Sequence, residues 1–196
     1  MRRRQFLLGT GVSVAASGLV LAGCTTTPLG SGNTTAENTD KRNTINADYD
    51  ATLARLYNAV SGSHELLDKA RGVLVFPSVI AAGFWIGGQY GEGALRVNGQ
   101  TTGYYSILGG SFGLQIGAQS KAIVFAFMTQ EAFDRFLQSQ GWAAGADATV
   151  ALVKIGANGN VDTSTATAPV EAFVLTNAGL MAGVSLEGTK ISRLLI

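Results

Sequence analysis

The spacing of apolar positions changes three times along the chain. Residues 6 to 22 are almost continuously apolar, Asn46 to Val60 has helical spacing, and beyond Arg71 short apolar runs are broken by glycine. Tyr49, Leu53, Leu56, Tyr57 and Val60 recur at i, i+4, i+7, i+8 and i+11, which predicts a helix capped at Asn46 and ending near Gly62. A shorter helix is predicted from Ser63 to Ala70, with Leu66, Leu67 and Ala70 inward and Glu65 paired with Lys69. Both apolar faces are expected to pack on a domain core rather than on lipid.

After Arg71 the runs are short and rich in aromatic and β-branched residues, which predicts strands. "GVLVFP" reads as one strand closed by Pro77, and "GFWIGGQYGEGALRV" as the next, leading into the hairpin turn Asn98-Gly99. "TTGYYSILGGSFGLQIGA" and "KAIVFAFM" follow as two further strands. Thr129 then caps "QEAFDRFLQSQ", with Phe133, Phe136 and Leu137 on one face and Gly141 as the stop. "ATVALVKI", a second turn at Asn158-Gly159, a Thr-rich loop, "VEAFVLT", "GLMAGVSLE" and "KISRLLI" complete the pattern. The expected fold class is α+β: a curved antiparallel β-sheet or partly closed barrel of short Gly-rich strands, flanked by two or three helices.

Two glycine series at four-residue spacing, Gly83/Gly87/Gly91 and Gly109/Gly113/Gly117, admit a second reading. Membrane helices pack closely through such seams, and the uncharged span from Gly72 to Gly91 is long enough to cross a bilayer. Four is also a multiple of two, so the same glycines share one face of a strand. Pro77 within the first span and the Asn-Gly turn between the series favour strands, with Ser111, Gly113, Gln115 and Gly117 on one face. The match of Gly109-Gly110-Ser111-Phe112-Gly113 to G-x-S-x-G lacks the following helix and downstream histidine that a nucleophile turn needs. The single histidine, His64, lies upstream and is expected on a helix surface. Asp134, Asp147 and Glu171 show no local pairing and are expected to be solvated.

Composition changes the picture mainly at the N-terminus. Arg2, Arg3 and Arg4 precede the first apolar run, which ends in small residues before Cys24, the chain's one cysteine. This is the layout of a secretory signal. Leu21-Ala22-Gly23-Cys24 resembles a bacterial lipobox, predicting cleavage after residue 23, acylation of Cys24 and a palmitate-type lipid anchor. Arg3 and Arg4 also resemble a twin-arginine export motif. Thr25 after the cysteine is expected to direct the anchor to the outer membrane, facing the periplasm. Removing the three signal arginines leaves 11 basic against 13 acidic residues, a net charge of −2. No polybasic tract remains, which argues against nucleic-acid binding. One histidine and one acylated cysteine offer no zinc set, and neither a metal nor another cofactor is expected. Three segments follow: signal 1–23, acylated Cys24 with a polar tether over 24–44, and a domain over 45–196.

"KARGVLVFPSV", "GGQYGEGALRVNGQTTGYYSILGGSFGLQIGAQ", "GADATVALV" and "LTNAGLMAGVSLEGTKI" resemble, in order, blocks of the SYLF domain family. Eukaryotic members bind phospholipids, phosphoinositides especially, and some bind actin. The resemblance implies a non-enzymatic, lipid-interacting domain. The basic amphipathic segment of those members has only Arg55, Lys69 and Arg71 to correspond to it here. Expected lipid contacts are Lys69, Arg71, Lys121, Phe84 and Trp85. The alternatives are a structural or protein-binding envelope component, and a glycine-zipper membrane protein.

Overall fold

The structure, a computed structural model, describes residues 35–153, 161, 168–177, 179–181 and 185–196, without the side chains of 83–86 and 111–118. The signal, Arg3, Arg4, the lipobox, Cys24, the start of the tether and the Asn158-Gly159 turn lie outside the described residues. So do the side chains of Phe84, Trp85 and Ser111. The part described belongs to one compact unit, Asn33–Ile196.

Ten elements follow in chain order among the described residues. They are α1 (Thr35–Ala59), α2 (Ser63–Asp68), β1 (Gly72–Val97), β2 (Gln100–Phe127), α3 (Gln130–Gln138), β3 (Trp142–Ala143), β4 (Val150–Leu152), β5 (Val170–Thr176), β6 (Gly179–Leu180) and β7 (Lys190–Leu194). The sheet order is β3-β7-β2-β5-β4, with β1 also on β2 and β6 on β5. It curls into a half-barrel, so the fold class is α+β as the sequence implied. All pairings between the named strands are antiparallel except β4 with β5, which is parallel.

The four strands expected over residues 72 to 127 are two. Pro77 does not end β1, because the register shifts between Phe76 and Val79 and the proline sits in that bulge, where no ladder hydrogen bond is asked of it. The bulge also reverses the alternation: Leu74 and Phe76 point into one apolar cluster, and Val79 rejoins it. Asn98 (φ 50) and Gly99 (φ 77) form the expected turn, both in the left-handed region that a two-residue hairpin loop requires.

A straight strand as long as β1 would span about 85 Å, roughly twice the width of a unit this size. The hairpin therefore folds back on itself. A Cβ on Gly93 would stand 2.1 Å from the Val75 carbonyl oxygen, and one on Gly91 would stand 2.7 Å from that of Ser78. These glycines admit the first half of β1 against the second.

Two clusters cover the faces of the curled sheet. On the concave side, Phe125, Phe127, Tyr105 and Ile107 meet Phe133 and Phe136 of α3 and Trp142. Phe136 lies 4.7 Å from the Phe127 ring and 5.0 Å from that of Tyr105. On the convex side, Val75, Ala94, Val124, Ala126 and Phe173 meet Tyr49, Leu56, Val60, Leu66 and Leu67 of α1 and α2. Residues 122–127 of β2 are buried on both faces, which explains their unbroken apolar run.

α3 starts as predicted, with Thr129 accepting from the Ala132 N–H at 3.2 Å. Leu137, expected inward, is exposed. α1 begins at Thr35 rather than Asn46, so residues 35 to 44, expected as tether, are helical. The added turns carry no apolar stripe and are held by polar contacts. Lys41 Nζ donates to Glu92 Oε1 at 2.7 Å, and Arg42 donates to the Ile196 carbonyl. On α2 the side-chain contact is His64 Nδ1 with Asp68 Oδ2, at 2.8 Å, in place of the expected Glu65 with Lys69.

Candidate functional site in the middle of the hairpin

α1 fixes the outer face of the hairpin. Tyr49 donates to the Val73 carbonyl at 3.3 Å while the Arg96 guanidinium stacks on its ring at 4.0 Å, so one side chain ties the two halves of β1 together. Burial raises the Tyr49 phenol, with Arg96 opposing. Arg96 also donates to Asp50 from two nitrogens, and this raises its own pKa first of all. Asn46 accepts from Thr101 Oγ1 and donates to Tyr104 Oη, both at 2.8 Å. The contacts run in step, Lys41 with Glu92 and then Asp50 with Arg96, so α1 lies parallel to the second half of β1.

Beyond this network the middle of the hairpin, Ile80–Tyr90 against Leu108–Ser120, pairs with itself until Leu108 meets Lys190 of β7. Alternation gives it two unlike sides. Val79, Gln89 and Gly91 turn inward and are buried, whereas Ile80, Ala82, Gly88 and Tyr90 turn outward and are exposed. Leu108 and Gly110, directly across from Tyr90 and Gly88, share the outward face. Ile80 is 54% exposed, Tyr90 48% and Leu108 58%. No charged residue occurs between Arg71 and Glu92 or between Arg96 and Lys121.

The borders of this face are polar. Tyr90 Oη donates to Glu92 Oε1 at 2.7 Å, and burial together with that carboxylate pushes the phenol up to about 12. Lys190, across the ladder from Leu108, is exposed and has no carboxylate partner among the described residues. On the inward side Gln89 Nε2 donates to Thr189 Oγ1 at 3.3 Å, both residues being buried, and a Cβ on Gly109 would stand 2.7 Å from that nitrogen.

The basic residues expected at a lipid contact do not form one patch. Lys69 and Arg71 are exposed where α2 enters β1, and the Arg71 N–H donates to the Phe127 carbonyl at 2.7 Å. Lys121 pairs with Val79 instead, six residues along β2 and about 20 Å away. It is half-buried on the concave side, and that burial lowers its pKa. Ile80, Tyr90, Leu108 and Lys190 were not singled out by the sequence reading. The signal for Ile80 and Tyr90 was the alternation after Pro77, legible only once the bulge is known, and Leu108 and Lys190 join them through strand pairing.

The remaining chemistry-bearing residues have ordinary surroundings, with one exception. The G-x-S-x-G residues lie within β2, with no turn into a helix. Both glycine series lie on β1 and β2, so they form no helical seam. No helix among the described residues is long and apolar enough to cross a membrane. Asp134 accepts from Gln130 and Asp147 from the Ala143 N–H. Glu171, expected to be solvated, is instead 1% exposed on β5, beneath the α1 side of the sheet. Its carboxyl accepts from the Ala168 N–H at 3.1 Å, yet desolvation dominates and raises its pKa.

The class defined by these features is an α+β half-barrel built on one long, bent hairpin, with helices on both faces and an uncharged ribbon whose outward described residues are open to solvent. Residues 108–193 match the family described as Ysc84, Las17-binding protein actin regulator, which supports the SYLF resemblance of the sequence. The match runs from the outward Leu108 through β7. No curated protein matches the chain.

Proposed function

We propose that the protein is a non-enzymatic envelope lipoprotein, anchored in the outer membrane through acylated Cys24 and facing the periplasm, whose SYLF domain contacts membrane lipid. The family supports lipid or actin binding in general terms. The observation that carries the lipid reading is the exposed, uncharged face of Ile80, Ala82, Tyr90 and Leu108. An exposed apolar patch bordered by polar groups is the mark of an interaction surface. The mature net charge of −2 gives little drive toward nucleic acid, and Lys69, Arg71 and Lys190 supply only local positive charge.

Flotation of Asn33–Ile196, without the acyl group, on vesicles of phosphatidylethanolamine and phosphatidylglycerol tests the domain's share. Co-flotation is expected. A domain that stays at the bottom of the gradient with every bacterial lipid is a protein-binding or structural component instead, a reading favoured by the Las17-binding description of the family. The anchor has its own check: incorporation of labelled palmitate, abolished by Cys24→Ser.

A further inference from the structure

We propose that the outward face of the hairpin midsection docks on the phospholipid bilayer that holds the acylated N-terminus, so that the domain is held at two points and in one orientation. This rests on the lipid-contact reading above and adds which face touches lipid and which way the domain stands.

Three observations converge. First, the ribbon is two-sided in the way an interfacial element must be. The inward Val79, Gln89 and Gly91 are buried in the domain, and the outward Ile80, Tyr90 and Leu108 are half or more exposed. Side chains alternate across a strand, so one face can enter the acyl boundary while the other stays packed. The ladder pairs the backbone groups that face each other along this stretch, so only the two outer edges need water or headgroups as partners at the interface. Second, α1 runs from Glu92 toward Arg96, so its N-terminus points back toward Tyr90 and the ribbon. Ten residues, Thr25 to Thr34, separate α1 from Cys24. Ten residues span at most about 35 Å, so an acylated Cys24 and the ribbon can enter one bilayer. Third, Lys190 stands on the outward face beside Leu108 with no carboxylate partner among the described residues. A lysine at the border of an apolar face reaches naturally for a lipid phosphate. The Asn98-Gly99 tip and the Lys69/Arg71 corner lie away from this surface along the strands.

The chain suits a depth measurement, since its one cysteine is the acylated one. Full acylated protein carrying Ile80→Cys, Leu108→Cys, Lys69→Cys or Gln100→Cys is labelled with an environment-sensitive fluorophore. It is then reconstituted in phosphatidylethanolamine–phosphatidylglycerol vesicles with or without doxyl-labelled lipid. Positions 80 and 108 are expected to shift to the blue and lose fluorescence to the quencher, while 69 and 100 do neither. Quenching at 69 with none at 80 and 108 would overturn the assignment of the face and leave lipid contact intact. Absence of quenching at all four positions would overturn both, the anchor alone then holding the protein. All four sites are exposed, and a circular-dichroism melt of each variant verifies the fold.

Discussion

Gly93 is the residue on which the bend of the hairpin depends most directly. Its missing side chain leaves room for the Val75 carbonyl, a backbone atom that cannot rotate away. Gly93→Ala is expected to cost about 3 kcal/mol in urea denaturation, as overpacking against fixed atoms does. Gly88→Ala, where a Cβ meets nothing within 4 Å, should stay within about 0.5 kcal/mol of the parent. Both glycines sit in the same run of sequence, so only the contact separates them. Glu171 offers a second test, through pH. Burial raises its folded-state pKa above the ordinary value of 4.5, so the folded protein holds this proton more tightly than the unfolded chain. Stability from this site is full below the unfolded value and declines as pH rises toward the folded one. The stability difference between Glu171→Gln and the parent should therefore move in favour of the glutamine from pH 4 to pH 8. A flat difference would mean that the carboxyl titrates normally. Neither role was legible beforehand: burial of Glu171 follows from β5 lying beneath α1 and α2.

Elements were legible where local chemistry decides them. The Thr129 side chain and the Asn98-Gly99 turn act on atoms within three residues, and both occur as the sequence implies. The tertiary decisions were not visible. Pro77 is a strand breaker in isolation, but a partner strand that skips a residue turns it into a bulge. The parallel pairing of β4 with β5 depends on a connection across residues 153 to 169, which no spacing rule addresses. The first turns of α1 are polar and would be marginal alone, and they gain their place from Lys41 and Arg42. Removing residues 33 to 44 is therefore expected to cost only about 1–2 kcal/mol, the range of a partly buried ion pair and a few polar contacts. Leu56→Ala, a fully buried residue twelve positions on from that segment's end, is expected to cost about 3 kcal/mol. If the truncation proves the more damaging, the polar turns contribute more than their contacts indicate.

At the scale of the whole molecule, stability is unevenly distributed, and function follows the uneven part. Residues 122–127 of β2 belong to both apolar clusters, so neither the α3 side nor the α1 side can separate without exposing the other. Among the described residues of the hairpin midsection, none belongs to either cluster, although the adjoining Val79 does. Few buried contacts at those residues, and a ladder mostly two strands wide, describe a segment that opens locally, well below the free energy of global unfolding. Amides of Ile123 to Ala126 are thus expected to exchange with deuterium only by global unfolding, and those of Ile80 to Ala82 and of Leu108 to Gly110 orders of magnitude faster. The same segment is the one proposed to meet lipid. Its outward face gains the apolar partner that the domain does not provide, so vesicles should slow exchange there and leave residues 123–126 and the turn at 98–99 unchanged. Slowing spread evenly over the whole domain would indicate general stabilisation on a surface. Slowing confined to the midsection would identify a hairpin that the fold keeps open, and the bilayer as what closes over it.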